Sequence, residues 1–139
     1  IWHKGKLKTT LEDFSFLMDQ HGIPRNKIKL IKGFYNDSLN DELKKELLPK
    51  KAAVVYVDCD LYHSTVDVLR FVRDFFQVGT ILVFDDWNCF HGDPSRGERR
   101  AFSEFCEANP DLQFEEFVRD NERMSFICLG TEGERGLLG

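Results

Sequence analysis

Two short acidic clusters stand out among the residues able to do chemistry, Asp58-Cys59-Asp60 and Asp85-Asp86, each following an uninterrupted apolar run. One aspartate after a strand is commonly just a turn or cap residue, so it is the coincidence of two clusters that carries meaning. If the two runs are neighbouring strands, their ends stand roughly 4.8 Å apart and three or four carboxylates share one small volume. Like charges about 4 Å apart repel by about 4 kcal/mol at an effective dielectric of about 20. Such a cluster needs a shared proton or a cation. Oxygen donors without an imidazole or thiolate pattern favour Mg²⁺, Mn²⁺ or Ca²⁺ over zinc, and an ion held from one side keeps positions for water or substrate oxygens.

The elements that must position these acids follow from the hydrophobic pattern. Ala52-Ala53-Val54-Val55-Tyr56-Val57 and Thr80-Ile81-Leu82-Val83-Phe84 are apolar without alternation, which predicts strands of a parallel sheet buried on both faces. Between them, Ser64 is placed to cap a helix carrying Val68, Leu69, Val72, Phe75 and Phe76 at helical spacing, closed by Gly79. Strand, helix and strand make a right-handed βαβ unit, and in an open α/β sheet the ligand site lies beyond the carboxyl ends of the strands. Both acidic clusters fall there.

Upstream, Thr9 and Glu12 have capping-box spacing before a helix with Leu11, Phe14, Leu17 and Met18 on one face, stopped by Gly22 and Pro24. Residues 27–34 read as a strand, Asn36-Asp37-Ser38 as a turn, and residues 40–48 as a charged helix halted by Pro49. Downstream come a polar loop over 87–97, a helix over 98–108, and strands over 112–119 and 124–129 joined by Asp120-Asn121-Glu122. The second pair predicts an antiparallel hairpin at one edge of the sheet.

Composition narrows the classes. The chain has 139 residues, 42% hydrophobic with 13 Phe, the makeup of a folded core rather than a disordered chain. A net charge of −5 argues against a nucleic-acid footprint. No apolar run approaches the ~20 residues of a membrane span, and the start has no signal-peptide apolar core. The first residue is Ile1 and not Met, so it is not expected to be a native start. Cys59, Cys89, Cys106 and Cys128 form no Cys-x-x-Cys; they read as reduced core thiols of a cytoplasmic protein.

Val57-Asp58-Cys59-Asp60-Leu61-Tyr62-His63-Ser64-Thr65 followed by Asp85-Asp86-Trp87 resembles the macrocin O-methyltransferase family. The likeness extends through Lys32-Gly33-Phe34-Tyr35-Asn36-Asp37-Ser38-Leu39 and Gly97-Glu98-Arg99-Arg100-Ala101-Phe102, and so covers most of residues 11–129. It implies an α/β, class I methyltransferase (Rossmann-like) sheet, mostly parallel with a C-terminal antiparallel hairpin. It also implies methyl transfer from S-adenosylmethionine to a hydroxyl of a sugar or natural product with vicinal oxygens. On this likeness Asp58, Asp85 and Asp86 hold Mg²⁺, Asp60 is the general base, and Gly33, Phe34 and Asp58 line the cofactor. His63 and His91 are rival bases, and Tyr62 either packs or lines the pocket.

One departure bears on completeness. The family's Gly-rich turn and the acid after its second strand have no counterpart, since no G-x-G-x-x-G occurs. The first two strands are therefore expected to be missing. Residues 1–130 would be the C-terminal part of a single methyltransferase domain, with 131–139 a flexible tail. The fragment alone is expected to bind Mg²⁺ weakly and to lack activity. The partner is a small hydroxylated molecule, with neither nucleic acid nor membrane, and self-association as a homo-oligomer is compatible with the sequence. Two alternatives stand beside this reading. One is a haloacid-dehalogenase-like phosphotransferase with Asp58 as nucleophile, which Tyr62 and the short stretch between Asp60 and Asp85 fit poorly. The other is a non-enzymatic methyltransferase-like interaction domain, with exposed aromatics at Trp87 and Phe90.

Overall fold

The computed structural model describes residues 9–131. They form two compact units, one ending at Lys32 and the other beginning at Gly33.

The first unit is built on helix α1 (Leu11–Gln20). Its capping box is one residue later than the sequence spacing suggests: Thr10 Oγ1 accepts from the Asp13 amide at 3.1 Å, and Asp13 Oδ2 accepts from the Thr10 amide at 3.4 Å. The chemistry is the same, because aspartate reaches back as glutamate does. A 3₁₀ turn at Arg25–Lys27 follows, and Arg25 pairs with Asp19. The strand expected over 27–34 does not form; residues 28–34 pair with no described strand. Apolar, β-branched composition only makes a segment suited to a pleated, half-buried surface, and without a partner for the ladder it stays irregular. Leu30 and Ile31 are accordingly exposed.

The second unit runs α2 (Tyr35–Ser38), α3 (Asp41–Leu47), β1 (Val54–Val57), α4 (Tyr62–Val72), β2 (Ile81–Phe84), α5 (Gly97–Ala108), β3 (Leu112–Arg119) and β4 (Met124–Thr131). Its sheet has the order β1-β2-β4-β3. β1 and β2 are parallel, while β2–β4 and β3–β4 are antiparallel, so the predicted hairpin is present at one edge. Helix α4 begins at Tyr62 with Leu61 at its N-cap and no side-chain cap, which places Ser64 inside the helix and not at its start.

The core lies between this sheet and helices α4 and α5. Leu69 and Phe102 meet Val57, Leu82, Phe84, Met124 and Phe126. Rings of Phe84, Trp87, Phe102 and Phe126 interlock, with Phe102 and Phe126 centroids 4.5 Å apart. Trp87 is therefore a core residue, contrary to its expected exposure in the loop. Burial of the two parallel strands also differs from expectation. Val55, Val57, Leu82 and Phe84 are buried, but Val54 and Tyr56 are 59% and 54% exposed and Ile81 and Val83 are half-buried. Both helices cover the same face, so the apolar residues of the opposite face have no described layer over them. No helix among the described residues is long and apolar enough to cross a membrane.

Leu82, fully buried in the middle of β2, provides a direct check. Leu82→Ala should cost about 2–5 kcal/mol, read as a lower denaturant midpoint at unchanged slope. A loss below about 1 kcal/mol would be incompatible with this core.

Candidate functional site

The parallel ladder sets the site. Val57 stands opposite Phe84, and one further ladder bond, Asp85 N–H to the Val57 carbonyl at 2.9 Å, carries the pairing past the end of β2. The two acidic clusters thus leave the sheet side by side, as the sequence pattern implies. Asp58, Asp60 and Asp86 each offer a carboxylate oxygen, and these oxygens lie within 4.8 Å of one another.

Asp60 is presented by strained backbone. Its φ of 55° lies in the left-handed region, inside a three-residue turn closed by Leu61 N–H to the Cys59 carbonyl at 2.5 Å. Aspartate tolerates that conformation better than most residues, and such strain is typically kept at functional sites. Its carboxyl is pushed up to about 6, chiefly by the hydrogen-bonding Asp86 carboxylate, then by burial and by the charges of Asp86, Asp58 and Asp85. Asp86 also accepts from the Cys89 thiol at 3.1 Å, which pushes that thiol up to about 11.

Asp85 goes elsewhere. Successive residues leaving a strand emerge on opposite faces, so Asp86 follows Phe84 toward α5 while Asp85 emerges on the open face with Tyr56. There Tyr56 Oη and Arg123 Nε both donate to Asp85 Oδ1, and Asp85 is held below the ordinary carboxylate range by Tyr56 first and Arg123 second. The carboxylate oxygens that converge are thus those of Asp58, Asp60 and Asp86, while Asp85 stands beside them on the open face; among the described residues no hydrogen bond reaches its Oδ2.

The other candidate residues separate into two places. Gly33 and Phe34 line a cavity of 530 Å³ with Tyr35, Asn36, His63, Ser64 and Asp67. Phe34 is 81% exposed there and is no core residue. His91 sits apart, in a different cavity with Asn88, Arg99 and Asp120, and neither histidine joins the carboxylate trio. Tyr62 packs: its ring carries Arg100 at 4.3 Å and its hydroxyl meets Glu104.

Two residues escaped the sequence reading. Tyr35 is pushed up by burial first and then by the neighbouring Cys59 and Asp58. Glu98, 1% exposed, sits in the first turn of α5 and accepts the Asp86 amide through Oε2 at 3.0 Å. Its Oε1 has no hydrogen-bond partner; the Cys59 amide is near enough to favour its charged form without bonding geometry. Burial dominates and pushes Glu98 up to about 8, with Asp86 and Asp60 charges adding to it and the Asp86 and Cys59 amides opposing it. The helix start can come this close because residue 97 is glycine. Its φ is 55°, and a Cβ there would meet the Phe90 ring at 2.8 Å. Glycine at 97 was legible as the end of the polar loop, but its role against Phe90 was not.

A parallel βαβ unit with carboxylates at its strand ends and an antiparallel hairpin beside it is an α/β sheet of the class I methyltransferase kind. The chain matches the family described as Macrocin-O-methyltransferase (TylF) over residues 3–110, and it belongs to that family. It is 27% identical over 85 residues to 8-demethyl-8-(2,3-dimethoxy-alpha-L-rhamnosyl)-tetracenomycin-C 4'-O-methyltransferase of Streptomyces olivaceus, covering 61% of this chain and 31% of that one. The fold is similar to the O-methyltransferase NovP (TM-score 0.69, 21% identity, 86% of this chain and 45% of that one). It is also similar to CalS11, a calicheamicin methyltransferase (TM-score 0.66, 18% identity, 90% and 50%). The chain spans about a third of the curated relative and about half of the structural ones.

The shifted carboxyls make stability fall with pH when no divalent cation is present. Glu98 and Asp60 hold their protons more tightly in the folded than in the unfolded chain. Their contribution is thus complete below the ordinary carboxylate range and is lost as pH rises through about 6 and then about 8. Thermal melting in a chelator-containing buffer should show that decline, and Glu98→Gln should remove its upper part. An identical profile for the variant would contradict the assignment.

Proposed function

We propose that the protein is an S-adenosylmethionine-dependent, Mg²⁺-dependent O-methyltransferase acting on a hydroxyl of a sugar or glycosylated natural product with a neighbouring oxygen. The observation that carries this reading is the carboxylate trio Asp58–Asp60–Asp86, whose oxygens converge within 4.8 Å at the strand ends of a chain of this family. The main influences on Asp60 are its acidic neighbours and burial, and Glu98, bonded through Oε2 to the Asp86 amide, keeps a buried Oε1 without a hydrogen-bond partner. These donors fit a hard divalent cation.

Asp58 and Asp86 are assigned as ligands of that ion, with Asp85 a third through the Oδ2 that Tyr56 and Arg123 leave open. Bound there, Mg²⁺ would lower the pKa of a coordinated hydroxyl and fix its direction. Asp60 is the base that takes the hydroxyl proton; an acidity of about 6 keeps it ionised near neutrality while leaving it basic enough to accept. Gly33, Phe34 and Asp58 are assigned to the cofactor. Phe34 offers an exposed ring on which a flat base can stack, and the cavity has polar donors in Asn36 and Ser64. S-adenosylmethionine supplies the methyl group. A sugar acceptor is favoured because the curated relative's name specifies a position on a rhamnosyl unit. Membership of this family leaves the dehalogenase-like alternative without support, and an intact trio argues against a purely non-enzymatic domain.

Calorimetry of the full-length protein tests the assignment. Asp86→Asn should weaken Mg²⁺ binding at least about tenfold while S-adenosylmethionine binding is kept, and Asp85→Asn should weaken it less, because Asp85 is already engaged by Arg123. Unchanged Mg²⁺ affinity in Asp86→Asn would overturn the ion site. Asp60→Asn should lower kcat on a sugar acceptor by about 10²–10⁴; an undiminished rate would remove Asp60 as the base.

A further inference from the structure

We infer that Glu98 is a positioning residue for the divalent-cation site: it acts through the backbone of Asp86, and its reach rather than its charge is what the site requires. This inference rests on the ion assignment for Asp58 and Asp86.

Asp86 lies beyond the end of β2 at Phe84, and the last parallel ladder bond is made by the amide of Asp85. The Asp86 amide consequently has no strand to bond with. Glu98 supplies the acceptor, from a different element and with its side chain buried, through Oε2 at 3.0 Å. On its carbonyl side, Asp86 is held by the Cys89 amide at 3.0 Å. The residue is thus gripped at both ends, and its carboxylate is directed to Asp58 and Asp60 by backbone that cannot swing freely.

The grip depends on how α5 starts. Glu98 follows Gly97, whose left-handed φ and contact with Phe90 bring the first turn of the helix against the acids, and the Gly97 Cα sits near the Asp60 carbonyl (an added Cβ would lie 3.6 Å from it). A glutamate at this position spans the gap to the Asp86 amide. An aspartate, one methylene shorter, falls short of it, whereas a glutamine keeps both the length and an oxygen acceptor. That a fully buried side chain of another element spends a hydrogen-bonding oxygen on the backbone of a proposed ligand ties it to the placement of that ligand. Groups that orient metal ligands change affinity by about 10–100-fold when removed.

The pair Glu98→Gln and Glu98→Asp separates reach from charge. Two readouts apply to the full-length protein. The first is amide hydrogen exchange at Asp86 in ion-free protein. The second is Mn²⁺ binding, with Mn²⁺ alone as probe and free Mn²⁺ followed by its paramagnetic resonance signal. Glu98→Gln should keep Asp86 protected and bind Mn²⁺ within about threefold of wild type, while Glu98→Asp should expose the amide and weaken Mn²⁺ at least about tenfold. Circular dichroism establishes that both variants are folded. Wild-type protection and affinity in Glu98→Asp would overturn the inference, as would a loss in Glu98→Gln equal to or greater than that in Glu98→Asp. The Asp86→Asn control keeps the two claims apart. Wild-type Mn²⁺ affinity in that variant removes the ion site itself, whereas its loss alongside an unaffected Glu98→Asp removes only the role of Glu98.

Discussion

Parallel pairing of β1 with β2 is the constraint on which the rest depends. Once Val57 stands opposite Phe84, the chain has no choice but to release Asp58 and Asp86 into adjoining space. The register is secured from the buried face, where Leu82 and Phe84 are inaccessible to solvent and Phe84 meets Trp87, Phe102 and Phe126. A slip of one residue would turn that aromatic set outward and the open face inward. Hydrophobic packing therefore supplies the stability with which like charges can be held together. The electrostatic consequence is visible in Asp60 and Glu98, both shifted toward their neutral forms by burial and by acidic neighbours.

The same pairing explains why adjacent aspartates have different fates. Strand alternation sends Asp86 to the helical side and Asp85 to the open side, where Arg123 from the β3–β4 hairpin neutralises it. Hairpin and βαβ unit are thereby tied together by a charge pair at the rim of the site, next to but apart from the trio. An Asp-Asp dipeptide at a strand end is, in this protein, two residues with different partners, Asp86 within the acidic trio and Asp85 on Arg123.

The helices contribute beyond covering the sheet. α4 begins directly after the strained turn at Asp60, so its first residues and α2 frame the cavity containing Gly33, Phe34 and His63. α5 presents Glu98 at its first turn, stacks Arg99 over Trp87 at 5.6 Å, and buries Phe102 and Phe105 in the core. Core packing and site geometry are thus parts of one arrangement, and a change in how α5 seats would be felt at Asp86.

The two apolar runs, the acids after them, the helix between them and the closing hairpin were all legible in the amino-acid sequence, because apolar periodicity and turn chemistry are local properties. So was the family resemblance through Asp58, Asp60, Asp85 and Asp86. A strand over 27–34 was not correctly legible, since a strand exists only with a partner and composition cannot supply one. One-sided burial of β1 was hidden for a similar reason: an unalternated run shows that both faces are apolar, and only the packing of α4 and α5 shows which face is covered. Tertiary structure alone decided that Asp60 joins Asp58 and Asp86 while Asp85 turns to Arg123, and that Glu98, twelve residues further along the chain than Asp86 and in a different element, bonds the Asp86 amide. Those outcomes depend on side-chain direction and on contacts between segments distant in sequence, which no local pattern encodes.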